Sequence, residues 1–452
     1  TALTKRIEFL VKYSGASPNK ILAITFTRKA RQEMQERLVK LGANARVETF
    51  NSFCEKILQR YGSRIYKIPT RIGSFQDKLM AFYSSLDLLG IEREVIIEKY
   101  FNKSQRRNKT IDQLTNILMN DCFSIINYNK IKNKELADFS QDVDQEDREV
   151  AKILFNLSKN LKVYMELQGL RDYVDQVVDA LKFLKQNLEI VPEFEHILVD
   201  EYQDVNALQI ELLDLLKTKN LFCVGDPRQS IYGWRGSEVN HILKFDKKYP
   251  EYEEITLTKN YRSDKRIVEF MNHSVESMKF PGLESDIESQ QHISLTKFGT
   301  EMEECKFIVN KIKSLEIQRE EIFVLARTNR QLLELSNLMK QQNIPYIIKA
   351  EDIVRPTVDS KKGHVTLATV HAIKGLEANT VFVMGTNELN FPCKASDHPI
   401  IEMMKLEGYD QEEEERRLFY VAISRAKQNL YLTYSGKKPT YFINKKMLDM
   451  LE

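Results

Sequence analysis

The sequence predicts an α/β protein of two parallel-sheet domains, with a helical insertion in the first. Three observations lead there. Two regions of the 452-residue chain alternate short apolar runs with amphipathic helices, the mark of parallel strands joined by crossover helices. A third stretch, about Ile68 to Asp172, shows helical periodicity and few strand signals. The length also exceeds one ordinary domain.

Taken in order, the chain opens Thr1-Ala2-Leu3-Thr4-Lys5-Arg6-Ile7, already helical in pattern and without an initiator Met. The expectation is a piece of a longer protein. Ile21-Leu22-Ala23-Ile24, Ile197-Leu198-Val199 and Leu221-Phe222-Cys223-Val224 have the length and composition of strands buried on both faces. In the insertion, Leu79, Phe82, Tyr83 and Leu86 recur at helical spacing, as do Ile111, Leu114, Ile117 and Leu118, then Ile153, Leu154, Leu157, Leu161 and Tyr164. Its linkers are polar, and the basic run Lys103 to Lys109 reads either as a solvated loop or as a phosphate-backbone contact. The second region offers Ile322-Phe323-Val324-Leu325, Val365-Thr366-Leu367-Ala368, Val381-Phe382-Val383-Met384 and Leu430-Tyr431-Leu432 as strands. Leu332, Leu335, Leu338 and Met339 mark one face of a crossover helix between the first two. The expected boundaries are 1–67 and 173–256 for the first sheet domain, 68–172 for the insertion, and 257–452 for the second domain. In the tail, Phe442, Met447, Leu448 and Leu451 fall on one helical face.

Composition narrows the function. No apolar stretch approaches the roughly 18–20 residues of a membrane helix, no signal-peptide pattern opens the chain, and mean hydropathy is −0.41. Lys plus Arg number 67 against 65 acidic residues, so any nucleic-acid contact must use a local groove rather than bulk charge. The five cysteines are scattered with no C-x-x-C pair, against a disulfide framework, zinc site or iron–sulfur cluster. A reducing cytoplasm is expected.

The strongest chemical signal is His196-Ile197-Leu198-Val199-Asp200-Glu201-Tyr202-Gln203-Asp204. An apolar strand ends in adjacent carboxylates, at the edge of a parallel sheet where ligands bind. Phosphoryl transfer needs one carboxylate for Mg²⁺ and a group to orient or deprotonate the attacking water. Asp200 suits the metal and Glu201 the water. The next strand leads into Val224-Gly225-Asp226-Pro227-Arg228-Gln229-Ser230-Ile231-Tyr232-Gly233-Trp234-Arg235-Gly236. Trp234 is the only tryptophan, placed beside Gly233 and Arg235. Such a ring either packs between domains or stacks on an unpaired base, worth about 1–3 kcal/mol per base.

The D-E-Y-Q-D and G-D-P-R-Q-S-I-Y-G-W-R-G segments resemble two ordered motifs of the superfamily 1 UvrD/Rep/PcrA helicases. Others follow in that family's order. Ala23 to Ala30 resembles the motif after the first strand, and Glu48-Thr49-Phe50-Asn51-Ser52-Phe53 the T-F-H-S segment along the DNA path. Asn260-Tyr261-Arg262-Ser263 matches N-Y-R-S. Thr369 to Glu377 resembles T-x-H-x-x-K-G-L-E, and Glu414 to Ala426 resembles E-E-R-R-L-x-Y-V-A-x-T-R-A. The resemblance runs from Thr1 to about Ser435 and covers the insertion weakly.

It implies two RecA-like motor domains, ATP and Mg²⁺ as cofactors, and 3′-to-5′ movement on single-stranded DNA or at single-strand/duplex junctions, in repair or at replication forks of a nucleoid-associated protein. Arg262 and Arg425 would reach the γ-phosphate as arginine fingers. Tyr261 would stack on adenine, Gln229 would couple γ-phosphate occupancy to movement, and Gln203 and Glu377 would complete the nucleotide side. Phe26, Thr27, Phe50, Asn51, Tyr232, Trp234 and His371 would contact the strand. ATP between two sheets would close the cleft and hydrolysis reopen it, about one nucleotide per cycle.

Three departures stand out. No G-x-x-x-x-G-K-S/T phosphate-binding loop occurs; aligned on the family, Thr1 falls just after it. The chain alone is therefore expected to hydrolyse ATP negligibly. Only fifteen residues, Ala350 to His364, separate the strand near Ile347 from the one at Val365, where larger relatives insert a regulatory domain. Asn51 stands where His is usual, and Arg28 where Asn is common. The competing class is a catalytically silent DNA-binding module derived from a helicase. A nuclease fusion finds no carboxylate cluster in the tail.

Overall fold

A computed structural model describes residues 2–107, 109–288, 292–349, 362–393, 400–401 and 410–451. The chain forms two compact units, one of residues 1–227, 232–248 and 397–409, the other of residues 228–231, 249–396 and 410–452.

The first unit begins with the helix Ala2–Lys12, which buries Leu3, Ile7 and Leu10. Strand β1 (Ile21–Thr25) is buried along its whole length, as its uninterrupted apolar sequence requires. Strand β2 (Arg46–Thr49) was not expected, because Arg46 and Glu48 break its apolar pattern. The Glu48 carboxylate is nonetheless buried, accepting from the Ser52 hydroxyl at 2.7 Å and ion-paired with Lys56 and, at 3.6 Å, Arg31. Strands β3 (Arg71–Ile72) and β4 (Leu170–Arg171) pair in parallel at the two ends of the helical insertion. With β5 (His196–Val199) and β6 (Asn220–Cys223), the main sheet runs β2-β1-β5-β6, all parallel.

The insertion has its own core, in which Phe82, Leu86, Leu114, Leu118, Leu154, Leu157 and Leu161 pack together with Ile400 and Ile401. Its base is polar. Asp172, 8% exposed, caps the helix Tyr173–Gln186 and accepts from Lys78 Nζ at 3.0 Å and Asn127 Nδ2 at 2.9 Å. Arg171, 6% exposed, pairs with Glu55 at 3.2 Å and donates to the Tyr66 hydroxyl at 3.0 Å. The basic run is exposed at Lys103, Arg107 and Lys109, while Arg106 pairs with Glu98 at 3.2 Å.

The second unit holds β7 (His292–Phe298), β8 (Ile322–Ala326), β9 (Tyr346–Lys349), β10 (Val365–Thr369), β11 (Ala378–Val383) and β12 (Ala426–Ser435) in one parallel sheet, ordered β7-β12-β11-β8-β10-β9. Its crossover helix Asn329–Gln341 buries Leu332, Leu335 and Met339, as their spacing predicts. Edge strand β7 escaped the sequence reading because it interleaves polar and apolar residues. The tail corrects an expectation. Its helix is only Lys445–Asp449; Phe442 lies ahead of it and Leu451 beyond it, so the four apolar residues share no helical face. Met447 and Phe442 are buried, whereas Leu448 is exposed. Among the described residues no helix is long and apolar enough to cross a membrane.

Candidate nucleotide and single-strand site

The first unit gathers an acidic cluster where β5 ends. Asp200 continues the sheet, its N–H donating to the Ile24 carbonyl at 2.9 Å. Glu201 then turns into the left-handed region, φ +49°, which re-aims the next residues. Tyr202 N–H donates to the Val224 carbonyl at 2.9 Å, joining this turn to the end of β6.

Gln203 is fully buried, and its amide is used at both ends. Nε2 donates to Glu201 Oε2 at 2.5 Å, and Oε1 accepts from the Asp226 N–H at 3.0 Å. Gly225 leaves the room for this. A Cβ there would meet Gln203 Oε1 at 2.7 Å and the Ile242 side chain at 2.9 Å. Gln203 thus holds the turn of Glu201 against that of Asp226.

Burial, and next the neighbouring Glu201 charge, push the Asp200 carboxyl up to about 6. A carboxylate whose charge is that costly suits a residue that receives a divalent cation. Among the described residues no three or more His, Cys, Asp or Glu side chains form a metal cage. A single carboxylate is still the donor set Mg²⁺ uses when substrate phosphates and water supply the rest.

The residues assigned to the strand divide. Phe26 and Tyr232 stack with ring centroids 6.0 Å apart at 13°. The Arg235 guanidinium lies 4.4 Å from the Trp234 ring centroid and 5.4 Å from that of Tyr232, so a flat cation already covers this aromatic group. Phe50, at 3% exposed, packs in the sheet core beside Leu22, Ile24 and Phe53. Thr27 caps the helix Arg28–Lys40, its hydroxyl accepting from Ala30 N–H at 3.1 Å. Asn51 donates through Nδ2 to the Tyr173 carbonyl at 2.6 Å and to Gln176 Oε1 at 2.9 Å.

In the second unit, Arg262 Nε donates to Glu377 Oε2, and its NH1 to the Ser424 carbonyl at 3.3 Å. Tyr261 is 79% exposed, with Lys259 Nζ 5.7 Å from its ring centroid. Arg425 is 1% exposed. It donates to the Val421 and Leu376 carbonyls at 3.0 and 3.2 Å, to the Ser424 hydroxyl at 2.7 Å, and to Gln229 Oε1 at 3.3 Å. The Gln229 carbonyl in turn accepts from Lys374 Nζ at 2.7 Å. His371 opens the short helix His371–Ile373 after β10 and is half-buried.

So the fold joins Asp200, Glu201 and Gln203 in one cluster, Phe26 and Tyr232 in a second, Arg262 and Glu377 in a third, and Gln229 and Arg425 in a fourth. It does not bring Phe50 to the surface. Asp226, Arg235, Lys374 and Lys427 were missed, although all but Lys427 lie inside the motif segments themselves. Adjacent chemistry in those segments was the available signal.

Two comparisons bear on identity. The UvrD/REP helicase N-terminal domain family matches residues 1–250. The UvrD-like helicase C-terminal domain family matches residues 255–353 and 354–437. The chain belongs to the UvrD/REP helicase family. Among its UvrD-like relatives, a probable DNA helicase of Mycoplasma pneumoniae is 30% identical over 96% of this chain and 78% of its own length. The ATP-dependent DNA helicase PcrA of Staphylococcus aureus is 33% identical over 76% of this chain and 46% of its own length. The chain thus spans less than half of that PcrA. A solved C-terminal domain of a possible DNA helicase from a Lactobacillus aligns at 17% identity and TM-score 0.28 over 42% of this chain and 96% of its own, too loosely to bear on the fold.

Proposed function

We propose that this UvrD-like chain is the working core of an ATP-driven motor on single-stranded DNA. The observation that carries this is the Asp200–Glu201–Gln203 cluster at the end of β5, a half-buried carboxylate beside an anchored one. The relatives' names, DNA helicase and ATP-dependent DNA helicase, support the substrate and the fuel.

Asp200 would hold Mg²⁺, which supplies charge neutralisation to the phosphates when bound. Glu201 would orient the attacking water and take its proton, its carboxylate fixed by Gln203. Arg262 and Arg425 would stabilise charge on the transferred phosphoryl group, with Gln229 reporting its presence through Arg425. Tyr261 presents an open face for a base ring. Tyr232, Trp234, Phe26 and His371 would hold successive bases of the strand, with polarity 3′ to 5′ and work in repair or at replication forks as the family resemblance implies. Hydrolysis also needs a phosphate-binding loop, which these 452 residues do not contain.

The lone tryptophan supplies the test. Titrating an unstructured oligodeoxynucleotide should quench Trp234 emission saturably, and Trp234→Ala should weaken binding about five- to 100-fold whatever the base sequence. Unchanged emission, with unchanged affinity in the variant, would remove Trp234 from the strand path.

A further inference from the structure

The residues that face Glu377 include one that the motifs do not account for. Glu377 lies just before β11, and Lys427 is the second residue of β12, the neighbouring parallel strand. The Ala378–Ala426 register brings the two side chains together, and Lys427 Nζ lies 3.1 Å from Glu377 Oε1. The other carboxylate oxygen, Oε2, accepts from Arg262 Nε. One carboxylate is therefore shared by two cations, one on each oxygen. Both cations lower its pKa against the opposing effect of burial, which is the largest. All three side chains are one-third to two-fifths exposed, so each can change partner without disturbing the sheet.

The segments that carry Arg262 and Lys427 are also joined. The Ser263 hydroxyl donates to the Ala426 carbonyl at 2.7 Å, and Asp264 N–H donates to the Lys427 carbonyl at 2.9 Å. The segment bearing Arg262 is thus hung on the two residues that open β12.

We propose that Lys427 is a positioning residue of the nucleotide site, holding Glu377 anionic and in place while Arg262 transfers from that carboxylate to a phosphate. The proposal rests on the nucleotide role assigned above to Arg262 and Glu377. Its physical need is simple. An arriving phosphate competes with Glu377 for Arg262, and a carboxylate left alone there would repel the phosphate that displaced it. A lysine already on the second oxygen neutralises that charge, and the exchange of partners becomes less costly. Lys427 itself touches neither the phosphate nor the attacking water.

A double-mutant cycle tests this by binding rather than turnover. A fluorescent adenosine triphosphate with Mg²⁺ is titrated into the chain preceded by a phosphate-binding loop, and into its Lys427→Ala, Glu377→Gln, doubly substituted and Lys427→Arg forms. Lys427→Ala should weaken binding about three- to five-fold, the range of a partly exposed ion pair. In the Glu377→Gln background the same change should do almost nothing, and Lys427→Arg should restore wild-type affinity. Equal losses in both backgrounds would show direct phosphate contact, and no loss in either would show an idle surface lysine; each overturns the proposal. Arg262→Ala and Tyr261→Ala separate the underlying assignment. If neither weakens nucleotide binding, the nucleotide role of this face fails, whatever Lys427 does.

Discussion

Replacing Asp200 by Asn should stabilise the protein, and increasingly so as pH rises. Asp200 titrates at about 6 in the folded chain against 3.8 for an unperturbed Asp, because burial and the Glu201 charge oppose its ionisation. The sign follows from which state holds the proton. Below pH 3.8 both states are protonated and the carboxyl costs nothing. Between 3.8 and about 6 the unfolded chain releases its proton while the folded chain keeps it, so stability falls with pH. Above about 6 the full difference is lost. The gap between about 6 and 3.8, at about 1.4 kcal/mol per pH unit, sets an upper bound of about 3 kcal/mol. An amide of the same shape has no such cost. Denaturant unfolding of both forms in metal-free buffer should show Asp200→Asn ahead by about 1 kcal/mol at pH 4.5 and about 3 kcal/mol at pH 7.5. Millimolar Mg²⁺ should narrow the gap at pH 7.5 by stabilising only the carboxylate form. A variant that is less stable than the parent at pH 7.5, or a gap that shrinks as pH rises, would refute the view of Asp200 as a half-buried, costly anion.

Other outcomes follow from the same geometry. In the chain preceded by a phosphate-binding loop, Gln203→Leu should lower strand-stimulated turnover about 100-fold, because Glu201 loses the bond that aims it; unaltered turnover in stopped assays would count against that role. Arg171→Leu should destabilise the base of the helical insertion by about 3 kcal/mol, with much of the loss recovered by adding Glu55→Leu, as read from denaturation midpoints. Asn51→His should bind single strands no more weakly than the parent in anisotropy titrations. A large loss would mean that the bonds of Asn51 to Tyr173 and Gln176 set the strand path.

Much of this architecture can be read from the sequence because buried parallel strands leave continuous apolar runs. Ile21 to Ile24 and Ile322 to Leu325 are such runs, and both are buried throughout. The strands that stayed hidden are those where charge enters the sheet, as at Glu48, or where an edge strand such as His292–Phe298 is only half covered. The tail misled because helical spacing was read across residues that the chain places outside its five-residue helix. For the candidate site, motif spacing named Asp200, Glu201 and Arg425. It could not show that Gln203 and Phe50 are buried, that Thr27 serves as a helix cap, or that Arg235 covers Trp234. Those facts depend on neighbours distant in sequence. Lys427 had no signal at all, since its partner Glu377 is brought near only by the pairing of β11 with β12.

The central claim is that these residues form an ATP-driven single-strand motor, and one measurement addresses it most directly. ATP hydrolysis with and without single-stranded DNA would be followed for this chain and for the same chain preceded by a G-x-x-x-x-G-K-S/T segment. The account predicts negligible turnover by the chain alone, and strand-stimulated turnover in the extended protein that Glu201→Gln abolishes. Silence in both, with strand binding retained, would contradict it and leave a DNA-binding module without a motor. Turnover by the chain alone would contradict the need for that loop.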